Sequence, residues 1–389
     1  MTPEDWLDLR VLVTVGTGGV GKTTVSAALG IEAARRGKRV LVLTIDPAKR
    51  LADALGIDGL DHEPRELDGL PQIAVAPGGS LAAMVLDTKR TFDELVTRFS
   101  PDQESRARIL ANPIYRNLTD ALAGSSEYSA MAKLHELWST GDYDLIVLDT
   151  PPASHALDFL DAPRRLTGFL DSGFLKLLVH PAAAVGRAGF RLFRFGSELV
   201  LRALERITGI ELLTAISEFL LAFEAMLDSF NEQGRELERL LRDRSCGFLL
   251  VVGPDPEQAR GARAFWHRLQ PEGIHLVGSV LNRVHVWPGA APPPRTSEAE
   301  RRGAVDWLRK ELAERGVARA GAAAEALAAT AERHAALAWR DAEARGRLEE
   351  ALPLGPGEIR EIPLLAEDIH ALDTLGWIGE RIFGGRDGE

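Results

Sequence analysis

Short unbroken apolar runs alternate with helix-length stretches along much of the chain. Arg10 to Val15 (RVLVTV), Arg39 to Ile45 (RVLVLTI), Leu145 to Leu148 (LIVL), Gly247 to Val252 (GFLLVV) and Leu276 to Leu281 (LVGSVL) show no polar alternation. Runs of this kind suit strands buried on both faces, as in a parallel sheet covered by helices on either side. After the first run comes a glycine-rich turn, and the pattern then predicts a helix from Thr23 to Arg36, ended by Gly37-Lys38. Strand–helix alternation with these lengths predicts an α/β fold, a doubly wound and mostly parallel sheet joined by right-handed crossovers.

Two regions break the alternation. Residues 88–142 and 162–244 read as helices with few strand signals, a helical subdomain set within a single domain spanning 1–389. Within the second region Leu212, Ile216, Phe219, Phe223, Met226 and Phe230 recur at three- and four-residue spacing, a wide apolar stripe. The stripe suits either a groove for an apolar partner helix or helices burying their faces against one another and the sheet. Val286 to Arg295, with four prolines, reads as a loop, and residues 298–350 read as an Ala- and charge-rich helical segment. A last strand is predicted over Ile359 to Ile362, ending at Pro363.

The strongest chemical signal is Gly16-Thr17-Gly18-Gly19-Val20-Gly21-Lys22-Thr23-Thr24, which fits G-x-x-x-x-G-K-[ST] between a predicted strand and a predicted helix. Glycines let successive backbone N–H groups turn inward around phosphate oxygens, and the helix N-terminus adds a favourable dipole. Lys22 brings charge to the β- and γ-phosphates, and the Thr23 hydroxyl is a magnesium ligand. Asp149 ends the run LIVL, at the carboxyl end of a strand beside this loop. Its position suits a group acting behind Mg²⁺, or else a helix N-cap. Asp46 ends the second strand before Pro47. It suits a carboxylate that orients the attacking water, or else a helix cap.

Composition narrows the classes. Lys plus Arg total 46 and Asp plus Glu 57, a net charge of −11, so general nucleic-acid binding is not expected. The one cysteine, Cys246, excludes an intramolecular disulfide and any cluster held by several thiolates of this chain. The start MTPEDWLDLR lacks the basic-then-apolar order of a signal peptide, and a cytoplasmic protein is expected. The longest uncharged run, Gly69 to Leu86, is interrupted by glycine and proline and does not read as a membrane span.

The loop GTGGVGKTT, the segment LTIDPAKRLADAL (Leu43 to Leu55) and the segment DTPPASHALDFL (Asp149 to Leu160) resemble the ArsA-like ATPases. That family includes bacterial arsenical-pump ATPases and ATPases that target tail-anchored membrane proteins. Asn282 in VLNRV and IPLLAEDI (Ile362 to Ile369) are similar to its adenine-contacting loops. The resemblance implies a SIMIBI-type P-loop fold with a large inserted helical region. It further implies a Mg²⁺-dependent ATP hydrolase, a homodimer cycling between ATP and ADP, coupled to an apolar client helix or membrane-protein partner. The alternative is the catalytic subunit of an anion efflux system. By the same resemblance, ATP is held by Gly18, Gly19, Val20, Gly21, Lys22, Thr23 and Thr24, with Asn282, Asp255, Pro363, Leu364 and Leu365. Lys22 and Asp46 are the catalytic pair, and Thr23, Asp46 and Asp149 form the magnesium set. Asp46, Pro47, Asp149, Thr150, Pro151 and His155 form the nucleotide switches. The chain departs from the family in three ways. The signature lysine of G-K-G-G-V-G-K-T is replaced by Thr17, leaving Lys49 or Arg50 as sources of a cross-dimer charge, or none. The cysteine pair that shares zinc between subunits is missing, so no zinc is expected. Clustered thiolates for As(III) or Sb(III) are missing as well.

Overall fold

A computed structural model describes residues 1–46, 48–67, 75–112, 115, 126–151, 226–289, 292, 297–355, 357–366 and 372–384. Among the described residues eight strands form one sheet: β1 (Val11–Val15), β2 (Arg39–Thr44), β3 (Arg65–Glu66), β4 (Ser80–Val85), β5 (Leu145–Asp149), β6 (Cys246–Val252), β7 (Leu276–Val284) and β8 (Ile359–Pro363). Their order is β3-β4-β2-β5-β1-β6-β7-β8. Only β3 runs antiparallel, against β4.

All five strands predicted from apolar runs are present, at the centre of this sheet. They are buried because side chains alternate between two helical layers. Val11, Val13 and Val15 of β1 enter one core, with Phe92, Met131, Leu237, Phe265 and Leu348. Leu12 enters the other, with Val25, Leu29, Leu51, Leu375 and Ile378. The first layer draws on α3 (Thr88–Phe99), α4 (Gln103–Ala111), α5 (Ser126–Thr140), α6 (Leu227–Arg242), α7 (Pro256–Leu269) and α9 (Ala320–Ala351). The second draws on α1 (Lys22–Arg35), α2 (Arg50–Leu55) and α10 (Leu372–Phe383).

Three elements had no clear trace in the apolar pattern. Strand β4 lies inside the uncharged run 69–86, where two alanines among SLAAMV weaken the β-branched signal. Strand β3 is two residues long. Helix α10 fills the groove beside α1, where Gly379 permits close approach: a Cβ there would lie 2.7 Å from the Ala28 carbonyl oxygen. The 298–350 segment is two helices, α8 (Glu298–Glu314) and α9. Gly316 (φ 73°) and Arg319 (φ 59°) turn the chain between them, and Val305 packs on Ala324 and Ala328 to close the hairpin. The predicted helical region 88–142 contains α3, α4 and α5; residues 162–225, with most of the apolar stripe, lie outside the described residues. Among the described residues no helix is long and apolar enough to cross a membrane.

Candidate functional site

The chain leaves β1 at the centre of the sheet and turns into α1. The later strands β6, β7 and β8 lie on the opposite side of β1 from β2. A crevice at the carboxyl ends of parallel strands, where the winding reverses, is the usual ligand position in such sheets. Gly19 (φ 77°) and Gly21 (φ 92°) adopt left-handed backbone conformations that favour glycine. Gly16 has no room for a side chain: a Cβ would lie 2.1 Å from the Val251 carbonyl oxygen. Val20 is buried and pins the loop, while Gly18 and Gly19 are exposed. Thr23 and Thr24 follow Lys22 in the first turn of α1, where backbone N–H groups lack intrahelical acceptors and carry partial positive charge. Lys22 is buried, and its Nζ donates to the carbonyls of Gly16 (3.1 Å) and Thr17 (3.0 Å). Burial pulls its pKa down, helped by Arg50, while Asp149 and Asp46 oppose that shift.

Asp149 ends β5 and is 1% exposed. Its Oδ2 accepts from the hydroxyls of Thr23 (2.8 Å) and Thr44 (2.9 Å). Among the described residues its Oδ1 is buried with no hydrogen-bond partner. Burial raises its pKa from the usual 3.8 to about 6, against the two hydroxyls and Lys22, which lower it. A carboxyl raised in the folded state stabilises the fold at low pH, and that contribution is lost as pH rises through about 6. A rise from 3.8 to about 6 corresponds to about 3 kcal/mol. Thermal unfolding of the nucleotide-free protein in chelator is therefore expected to show falling stability between pH 4 and pH 7, and Asp149→Asn is expected to remove that component. Parallel pH profiles for the two proteins would refute the assignment.

Asp46 sits just beyond β2. Its Oδ1 accepts from the Ala48 N–H (2.9 Å) and its Oδ2 pairs with Arg50 at 3.1 Å. A local turn bond to Ala48, rather than a cap on α2, and a place within electrostatic range of Lys22 and Asp149 thus coexist in one side chain. The Thr150 hydroxyl donates to the Thr14 carbonyl at 2.7 Å, tying the segment after β5 to β1. Pro151 is half-buried. Pro47 and His155 lie outside the described residues.

The other expected contacts divide. Asn282 is buried near the end of β7, and its Nδ2 donates to the Val20 carbonyl at 2.8 Å. Pro363 pairs with Val284, Leu364 donates its N–H to Val284 O (2.9 Å), and Leu365 packs against the α1 side of the core. Asn282 therefore meets the loop directly, and Pro363 and Leu364 adjoin the end of the same strand. Asp255 caps α7 by accepting from the Glu257 N–H (2.7 Å); no contact joins it to the loop among the described residues. Gln258, three residues on, accepts from the Gly253 N–H (2.7 Å) and the Thr17 hydroxyl (3.4 Å).

Sequence reasoning missed Thr14, Ser26, Thr44, Gln258 and Arg283. The Thr14 and Ser26 hydroxyls lie 2.7 Å apart beneath the loop, and Arg283 donates to the Gly19 carbonyl at 3.1 Å. A usable signal existed for the threonines: each is a polar residue within an otherwise apolar strand, and a buried hydroxyl needs a partner. No comparable signal marks Gln258 or Arg283. Together the site offers glycine-opened backbone, one buried ammonium and hydroxyl and carboxylate oxygens. That chemistry suits a phosphate-bearing ligand with a hard divalent cation.

Comparison with known proteins matches residues 9–256 to the model of the family described as "Anion-transporting ATPase". The ATPase GET3 of Malassezia globosa is 32% identical over 173 residues, 43% of this chain and 48% of that protein. A putative arsenical pump-driving ATPase 1 of Aquifex aeolicus is 28% identical over 171 residues, 43% of this chain and 41% of that protein. The uncharacterized protein SCO2128 of Streptomyces coelicolor is 30% identical over 281 residues, 71% of this chain and 63% of that protein. In each case the match spans less than two thirds of the relative's own length.

Proposed function

Because this chain belongs to the anion-transporting ATPase family, we propose that it is a Mg²⁺-dependent ATP hydrolase. Binding and hydrolysis of ATP would drive a conformational switch. The observation that carries this reading is the bond from Thr23 Oγ1 to Asp149 Oδ2 at 2.8 Å, beside the buried Lys22. It joins the hydroxyl that follows the phosphate loop to the carboxylate of a neighbouring strand. The donor set also fits magnesium: these are hard oxygen ligands, and Asp149 Oδ1 is a buried oxygen with no partner among the described residues. Thr23, Asp46 and Asp149 would hold the ion directly or through water. When bound, magnesium supplies positive charge against the charge developing on the β- and γ-oxygens.

The chain's own groups do the rest. Glycine N–H groups and Lys22 hold the phosphates, so the terminal group is oriented before reaction. Asp46 positions the attacking water, work that needs geometry more than strong basicity. Asn282, Pro363, Leu364 and Leu365 would border the base, with Asp255 a more distant contributor. Asp46, Pro47, Asp149, Thr150, Pro151 and His155 would carry nucleotide state outward to the helical region. The protein would work as a homodimer whose partner is an apolar client helix or a membrane protein. Phosphate release from ATP by purified protein, with magnesium and with chelator, tests the enzyme. Co-elution with a synthetic apolar helix, with ATP and with ADP, tests the coupling. Equal rates in both metal conditions, or equal retention with both nucleotides, would overturn the corresponding part.

The family's description as anion-transporting and the Aquifex relative's name as arsenical pump-driving support a second reading, the energising subunit of an anion efflux system. Soft-ion control is disfavoured within one subunit. The chain's one cysteine, Cys246, is buried in β6, and burial pushes its thiol up to about 12. Arsenite and antimonite are expected to leave ATP turnover unchanged; a several-fold rise in a phosphate-release assay would reverse that preference.

A further inference from the structure

Asp341 is a fully buried carboxylate in the middle of α9 with no part in the chemistry above. Burying such a charge is unfavourable unless several donors meet it, and here four do. Its Oδ2 accepts from the His285 backbone N–H (2.8 Å) and meets His285 Nδ1 at 2.7 Å. Its Oδ1 accepts from Arg340 Nε (3.1 Å) and Nη2 (2.9 Å). His334, two helical turns earlier on the same face of α9, meets the Val286 carbonyl through Nε2 at 2.7 Å. Helix α9 therefore grips the chain where it leaves β7.

That exit carries a kink. The pairing of β7 with β8 shifts register between Asn282 and Val284. Arg283, between them, has φ 67°, a left-handed conformation disfavoured for a residue with a Cβ. Such a conformation persists where the surroundings hold both sides of it. On one side Asn282 pairs with Ile362; on the other, Asp341 holds His285. The kink aims two consecutive side chains at the phosphate loop: Asn282 Nδ2 donates to Val20 O (2.8 Å) and Arg283 Nη1 to Gly19 O (3.1 Å). In a trans peptide the carbonyl and the following N–H point in opposite directions. Drawing the Gly19 and Val20 carbonyls toward β7 therefore turns the N–H groups of Val20 and Gly21 away from it.

We infer that Asp341 is a positioning residue for nucleotide binding. By holding His285 it sets the kink at Arg283, and the Asn282–Arg283 pair then aims the Val20 and Gly21 amides at the phosphates. The inference rests on the reading of the loop as a nucleotide site. The α8–α9 hairpin thereby sets nucleotide affinity, while the chemical step stays with Lys22 and Asp46.

The test is a double-mutant cycle on the full chain, with Mg·ADP affinity measured by calorimetry and KM and kcat for ATP. Asp341→Ala and Arg283→Ala are each expected to weaken Mg·ADP binding roughly tenfold, with KM rising similarly and kcat within about twofold. Because both act along one path, the double variant is expected to lose little more than either single one. Arg283 is exposed, so its variant tests the path even where Asp341→Ala fails to fold. Asp341→Asn, which keeps an oxygen for the His285 N–H, is expected to lose less than Asp341→Ala. Wild-type affinity in Arg283→Ala would overturn the inference. So would fully additive losses, or a fall in kcat with KM and affinity unchanged. Wild-type protein that binds no adenine nucleotide would overturn the nucleotide-site reading itself, and the inference with it.

Discussion

Replacing Lys22 by alanine is expected to lower ATP turnover by roughly 10³-fold, the scale of losing a preorganised group from the reacting phosphate. The ammonium lies buried across the phosphate loop, bonded to the Gly16 and Thr17 carbonyls. Those bonds hold a positive charge in place before ligand arrives, so little reorganisation is needed when phosphate oxygens compete for it. Asp149 and Asp46 favour the charged form against burial. Alanine removes the charge, leaves two loop carbonyls without their donor and makes the site less positive toward a polyanion. Weaker Mg·ADP binding should accompany the lost turnover. Steady-state phosphate release and calorimetry on the same preparation measure both. Unchanged turnover would mean that the activity resides elsewhere.

Asp46→Asn is expected to separate binding from hydrolysis. Turnover should fall roughly 10²-fold or more, the range typical of a lost positioning or proton-accepting group, while Mg·ATP affinity stays within a few-fold. Asparagine keeps an Oδ1 to accept from the Ala48 N–H, so the turn after β2 survives. The pair with the exposed Arg50 is lost, but such surface pairs contribute little. What changes is the charge that orients water. Single-turnover hydrolysis with pre-bound ATP reads the chemical step directly. Full turnover would remove Asp46 from the mechanism, and a parallel collapse of binding would make its hold on the metal, rather than on the water, its main role.

Legibility along the chain followed the range of the interaction. The runs at β1, β2, β5, β6 and β7 were readable because burial on both faces of a sheet leaves no polar alternation. The glycine loop was readable because the residue types that mark it fall within nine consecutive positions. Strand β4 was not, since its alanines carry little strand preference and its burial comes from β2 beside it. The break between α8 and α9 was hidden by uniform helix formers on both sides of Gly316. Asp255 shows the same limit from the other direction. The resemblance implies a nucleotide contact for it, while in the fold its side chain caps α7.

The order of residues alone determined the central strands, the phosphate loop and the two aspartates at strand ends, because each follows from hydrophobic period, backbone freedom or a neighbour nearby in the chain. Tertiary structure decided what surrounds them. Asn282 and Arg283 reach loop carbonyls more than 260 positions away, and Asp341 in an alanine-rich helix reads as one more surface charge until α9 docks against β7. Such contacts arise only when crossovers bring distant segments together, and burial then turns an ordinary carboxylate into a group whose every oxygen must be satisfied.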